Sequence, residues 1–210
     1  GAAWLLGRTS GDLTALRRAC AERPDHADSW VALARVAADQ QQWGEAAAAA
    51  RAALELDLSL AQEAQAATAL GEVRLAQGDL AGARQALLRA QRQGAAHPGA
   101  AAAYGRLLSL EGRHAEAVHH LNRAVDAAVD ERARGVLLAQ AAAVTLDGLK
   151  DPVGAVALWR RVMAPGGAVD SYRGPAARAA WMAQDAELAG HWALGRGEGL
   201  PKDRLAALYG

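Results

Sequence analysis

A short pattern of small residues returns through most of this chain at a nearly constant interval, and few folds satisfy that constraint. The alanine that follows each of four turns, Ala46, Ala83, Ala117 and Ala155, recurs after 37, 34 and 38 residues. A period of this length marks a supersecondary unit that buries its apolar face only by stacking on its neighbours. In the first copy Trp30-Val31-Ala32-Leu33-Ala34 precedes Gln42-Trp43-Gly44-Glu45-Ala46 and Ala53-Leu54-Glu55-Leu56-Asp57. In the second, Ala69-Leu70-Gly71-Glu72-Val73 precedes Gly78-Asp79-Leu80-Ala81-Gly82-Ala83 and Ala90. In the third, Tyr104-Gly105-Arg106-Leu107 precedes Gly112-Arg113-His114-Ala115-Glu116-Ala117 and Ala124. A fourth, weaker copy carries Asp151-Pro152-Val153-Gly154-Ala155 and Trp159, with Val144 to Lys150 read as a longer hairpin loop. A half copy, Gly11-Asp12-Leu13, Leu16, Ala19 and Pro24-Asp25, precedes them all and reads as a second helix whose first helix is missing or reduced to residues 2 to 7.

Each copy has the composition of two helices in close contact. Leu33 with Ala34, Leu70 with Gly71, and Tyr104 with Gly105 set a large residue beside a small one, and small residues let a partner helix approach to the short end of the usual 8–10 Å spacing. Alanines seven apart, Ala46 and Ala53, Ala83 and Ala90, Ala117 and Ala124, fall on one face because seven residues make about two turns. Gly78 and Gly112 supply turns that need a positive φ at a helix C-terminus. Pro24 and Pro98 fall at the joints between hairpins. Hydrophobic residues make up 52% of the chain but aromatics only 4%, with no Phe. A core so rich in alanine buries little area per residue and favours many thin helix contacts over one thick centre.

These residues resemble the tetratricopeptide repeat family over about residues 12 to 163, with Ala34 and Ala37 in the first copy where glycine and an aromatic are commoner. The resemblance implies an all-α fold of helix-turn-helix repeats stacked in a right-handed superhelix, a solenoid. A generic alanine-rich helical bundle is the rival, and a bundle needs no common period. The expected organisation is a repeat array over 1–163, comprising a half repeat at 1–24 and repeats at about 27–58, 64–95, 98–129 and 132–163. Capping helices or a final degenerate repeat then occupy 164–210. In that tail Ala164-Pro165-Gly166-Gly167-Ala168 is a loop and Ala176 to about Leu194 reads as helix. Gly195 to Asp203 is similar to the turn of Sel-like repeats. A capping hairpin is expected because a terminal repeat otherwise exposes its apolar face.

Several chemistries are excluded or disfavoured. Lys+Arg and Asp+Glu both number 23, so the net charge is zero and the basic footprint of a nucleic-acid binder is absent. Cys20 is the sole cysteine, which rules out an intrachain disulfide or a cysteine metal cluster. No apolar run reaches the length of a membrane span. Gly195, Gly197 and Gly199 lack both a preceding strand and the Gly-Lys-Ser/Thr of a phosphate loop. His114, Glu116, His119 and His120 lack the four-residue histidine spacing of a zinc protease helix. Ser29 and Ser109 lie outside any nucleophile elbow. No catalytic residue, metal or cofactor is expected, and the chain is read as non-catalytic.

In this family the first helices line the concave face, so aligned positions mark where a partner lies. Arg35, Glu72 and Arg106 align, with Gln140 as the fourth; one turn on stand Asp39 and Ser109, and one turn back stands Thr68. These seven are the expected peptide-binding residues. Arg35 and Arg106 suit carboxylates, and Glu72 between them suits a basic residue. The lysine and asparagine set with which some family members grip chaperone C-termini is not reproduced at Val31, Arg35, Thr68, Ala102 and Arg106. The expected function is a scaffold or adaptor holding a protein or peptide. The alternatives are a recruiting arm of a larger enzyme or envelope assembly, and a self-associating module. The arginine-rich, lysine-poor composition points to a GC-rich bacterial genome, with the cytoplasm as the expected compartment and the periplasm second.

Overall fold

The structure, a computed structural model, describes residues 11–92, 98–162 and 172–194. Among these there are eleven α-helices, one π turn and no strand. The chain divides into two compact units, 1–107 and 108–210. The first holds α1 (Leu13–Glu22), α2 (Ala27–Asp39), α3 (Trp43–Leu54), α4 (Leu60–Ala76), α5 (Leu80–Arg92) and most of α6 (Pro98–Leu110). The second holds α7 (His114–Ala127), α8 (Glu131–Ala143), the π turn Val144–Gly148, α9 (Pro152–Val162), α10 (Arg173–Met182) and α11 (Ala186–Leu194). Within the first unit α2 packs on α3, α4 on α5, and α2 also on α4, so successive first helices touch. Within the second, α7 packs on α8, α8 on α9, and α10 on α11.

One turn builds every hairpin. The residue two positions before each second helix has a left-handed backbone: Gly11 (φ 69°), Gln41 (59°), Gly78 (77°), Gly112 (77°), Lys150 (57°) and Gln184 (64°). Behind it a backbone N–H reaches the carbonyl five residues back, Gln42 to Ala37 at 2.8 Å and Asp79, Arg113 and Asp185 to Arg74, Leu108 and Ala180 at 2.9 Å. This wider closing bond is the Schellman arrangement, which satisfies carbonyls that the helix end would otherwise orphan. An aspartate then caps many of the following helices. Asp12, Asp79, Asp151 and Asp185 accept from the backbone N–H of Thr14, Gly82, Gly154 and Leu188 at 2.8–3.0 Å.

Two expectations are corrected. Most of the segment read as a loop, Val144–Gly148, is helical: it forms a π turn, with Leu149 and Lys150 left as the connection, and Asp151 N–H reaches six residues back, to Thr145, at 3.1 Å. One helical turn is widened there, at the end of the fourth copy's first helix, and the hairpin is preserved. Gly148 is needed there, since a Cβ would lie 2.5 Å from Cγ of His114. The single helix read from Ala176 to Leu194 is two helices, α10 and α11, broken at Gln184. The Sel-like stretch from Gly195 onward lies outside the described residues, as do residues 2 to 7.

The core is made of alanine and leucine at the helix contacts. Ala46, Ala83, Ala117 and Ala155 are all fully buried, as are Ala53 and Ala90. The first unit gathers Leu13, Leu16, Leu33, Val36, Leu70 and Val73 around such alanines, with Trp30, Trp43 and Leu54 packed on the edge. At Gly71 an added Cβ would come within 2.5 Å of the fully buried Leu87. The first-to-second-helix distance is therefore set by residues that have no side chain to spare.

Volume added at these contacts has a predictable cost. Ala83→Leu and Ala117→Leu should each destabilise by about 1–3 kcal/mol through overpacking. Gly71→Ala should lose stability even though alanine gains about 1 kcal/mol over glycine in a helix interior. Urea denaturation measures all three; midpoints at or above wild type would show that these positions are not close helix contacts.

Candidate functional site

Three successive first helices bring four charged side chains into one network in the first unit. Arg35 and Asp39 stand one turn apart on α2, with guanidinium and carboxylate 3.5 Å apart. Glu72 stands on α4 and Arg106, 34 residues later, on α6; Nη2 of Arg106 donates to Oε1 of Glu72 at 2.8 Å. The side chains of Arg35, Asp39 and Arg106 are 49%, 64% and 47% exposed, and that of Glu72 is 32% exposed. Glu72 is the most enclosed member, and loss of solvent pushes its carboxyl above the usual range. Arg106 opposes that shift by charge and hydrogen bond, and the negative charge of Asp39 reinforces it. The network is thus a row of four charges in which two neighbouring carboxylates, Asp39 and Glu72, repel and an arginine at each end holds one of them.

The other expected residues differ in setting. Thr68 is buried on α4 and its hydroxyl donates to the Ala64 carbonyl at 2.6 Å, so that group is committed to its own helix. Ser109 and Gln140 belong to the second unit, and both are half-buried. The Gln140 Oε1 atom is buried without a hydrogen-bond donor among the described residues. The histidines of α7 remain apart from any metal-binding group: His119 and His120 meet edge to face at 6.0 Å, and no cluster of three metal ligands occurs among the described residues. Burial, and then the neighbouring His119, lower the pKa of His120.

A feature that sequence reasoning missed lies where α1, α2 and α3 meet in the first unit. Residues of α1, α2 and α3 line an open cleft of about 400 Å³ bordered by Cys20, Pro24, Trp30, Leu33, Ala48 and Ala49. At its edge Arg17 donates twice to Glu45, from Nε at 2.6 Å and Nη2 at 2.7 Å. This raises the pKa of Arg17 and lowers that of Glu45, in each case chiefly through the hydrogen bond. Cys20 is 3% exposed, and burial pushes its thiol up to about 11. The signal in the sequence was a departure from the repeat: Pro24 and Ala48 stand where the next copy has Leu54 and Gln85.

No helix among the described residues is long and apolar enough to cross a membrane. The tetratricopeptide repeat model matches residues 2–61, 31–101 and 68–132. No curated protein matches the sequence. Among solved structures, Pseudomonas aeruginosa PilF is 20% identical with a TM-score of 0.72, covering 90% of this chain and 86% of that one. The APC/C hetero-tetramer Cut9–Hcn1 gives 14% identity and a TM-score of 0.75 over 94% of this chain, which spans only 38% of the matched one. YrrB, described as a TPR protein with an unusual peptide-binding site, is 20% identical with a TM-score of 0.58, covering 86% of this chain and 90% of its own. At these identities the structures establish a shared fold. Together with the recurring left-handed turn and the buried alanine pairs, the family matches across residues 2–132 show that the chain belongs to the tetratricopeptide repeat family.

Proposed function

We propose that this chain is a non-catalytic interaction scaffold that holds an extended peptide segment of another protein along the first helices of its first unit. Membership of the family supports protein binding in general, and the peptide-binding site of YrrB is a precedent within the same fold. The observation that carries the finer reading is the network of Arg35, Asp39, Glu72 and Arg106. Three charges at equivalent positions of successive repeats, with Asp39 one turn on from the first, stabilise the fold little, because exposed ion pairs contribute roughly 0–1 kcal/mol each. They do present donors and acceptors at regular intervals to a chain lying across them. Arg35 and Arg106 each keep guanidinium faces open to a carboxylate, and a basic side chain placed between Asp39 and Glu72 relieves their mutual repulsion. Ser109 and Gln140, which lie in the second unit, are proposed as contacts of that unit taken by itself.

Two measurements bear on this reading. With a partner obtained by affinity capture and identified by mass spectrometry, the double variant Arg35→Gln/Arg106→Gln should bind it at least about tenfold more weakly, since a charge-assisted contact contributes about 1.5–3 kcal/mol. Its melting temperature should stay within a few degrees of wild type; undiminished binding would place recognition elsewhere. The second measurement concerns pH. A carboxyl whose pKa is raised in the folded state favours folding below its unfolded-state value, near about 4.3, and that contribution is lost as pH rises through the folded value. The stability of the wild type relative to Glu72→Gln should therefore fall between about pH 4 and pH 7. A relative gain over that interval would mean that Arg106 outweighs the loss of solvent at Glu72.

A further inference from the structure

We infer that the charged row selects one class of partner segment: an extended stretch in which a single lysine or arginine is flanked, two positions away on each side, by an aspartate or glutamate. This rests on the reading of the row as a peptide site, and adds to it the order and the number of the charges that the site accepts.

The order follows from which charges are neighbours. From α2 to α6 the row runs Arg35, Asp39, Glu72, Arg106, positive at both ends and negative in the middle. Arg35 stands 3.5 Å from Asp39 and Arg106 stands 2.8 Å from Glu72, so each carboxylate has its own arginine. The two carboxylates come from adjoining first helices, and the charge of Asp39 works against ionisation of Glu72. The gap between them is therefore where an added cation gains most. The arginines retain capacity for further acceptors. Among the described residues Arg106 donates through Nη2 alone, whereas a guanidinium carries five N–H donors. A basic residue over the carboxylates, with a carboxylate on each side, complements all four charges at once.

Order matters here more than total charge. The four charges cancel, so beyond a Debye length of about 8 Å the row exerts little net field on an approaching segment. Selection is made at contact. The number of basic residues is set by a departure from the repeat: Ala76 stands one turn after Glu72, where Asp39 stands one turn after Arg35. The facing carboxylates thus occur once in this row and take one cation, and further basic residues in the segment meet Arg35 or Arg106. The spacing follows from an extended backbone, in which side chains two residues apart share a face and lie about 6.6 Å from one another. Each guanidinium, one ion-pair contact beyond its carboxylate, falls within that reach of a cation between the two. The pattern reads the same from either end, so the row accepts the segment in either chain direction.

Four capped peptides test this, titrated to millimolar concentration against the full chain and followed by backbone and arginine Nε–H resonances. They are Gly-Asp-Ser-Lys-Ser-Asp-Gly, its isomer Gly-Lys-Ser-Asp-Ser-Asp-Gly, the inverted Gly-Lys-Ser-Asp-Ser-Lys-Gly, and the first with glutamine in place of lysine. The first should shift the Arg35 and Arg106 resonances and bind at least about fivefold more tightly than the other three. Arg35→Gln/Arg106→Gln should remove its advantage over the isomer with the helical circular dichroism unchanged. Asp39→Asn, at the most exposed member of the row, should shrink the gap between the lysine and glutamine peptides. An isomer or inverted peptide that binds as tightly as the first, and is still weakened by Arg35→Gln/Arg106→Gln, would overturn the selected order and leave the peptide site standing. Binding indifferent to those substitutions, or no shift at Arg35 and Arg106 with any of the four, would overturn both.

Discussion

The close approach of two helices across an alanine is the constraint on which the rest of this molecule depends. Ala46, Ala83, Ala117 and Ala155 are each sealed from solvent at the contact between the helices of a hairpin, and a methyl group there leaves no room for anything larger. Short interaxial distances follow, and the core is spread thinly along the chain instead of being gathered at one centre. The left-handed residue two positions before each second helix then fixes the phase, so that the same helix face meets its partner every time. In the fourth copy, where the interval is 38 residues, the first helix ends in a π turn and a left-handed residue still precedes the second helix.

Such a scaffold repeats positions as well as folds. Equivalent residues on successive first helices necessarily form rows, which is why Glu72 and Arg106, 34 residues apart, meet at 2.8 Å. The charge of Asp39 acts on the same carboxyl from the preceding first helix. The row tolerates charge because it faces water. The rows buried between helices hold alanine, glycine or leucine. Departures from the repeat are therefore informative in themselves: Pro24 and Ala48, which line the cleft beside Trp30, stand where the next copy has Leu54 and Gln85.

Most of the architecture was legible in the sequence because its causes are local and periodic. The buried alanines, the large-small pairs and the glycine turns at Gly78 and Gly112 each announce themselves by residue type. The turns at Gln41, Lys150 and Gln184 do not: a left-handed backbone at a non-glycine residue costs roughly 1–2 kcal/mol and is imposed by the packing of the flanking helices. That is why α10 and α11 read as one helix and the π turn read as a loop. Alignment placed the charged positions of successive repeats at equivalent sites, and the structure joins Glu72 to Arg106. Alignment could not show that the Thr68 hydroxyl is bonded to its own helix, because a threonine carries both an apolar and a polar reading. Nor could it show a cavity, which depends on three helices at once.

The claim that a partner lies along the charged row is tested most directly by carboxylate footprinting of the complex. Carbodiimide-driven labelling, read residue by residue by mass spectrometry with and without the captured partner, compares Asp39 and Glu72 with remote carboxylates such as Glu22 and Glu55. The account predicts that labelling of Asp39 and Glu72 falls on binding while that of Glu22 and Glu55 is unchanged. Unaltered labelling of Asp39 and Glu72 in a saturated complex would contradict it.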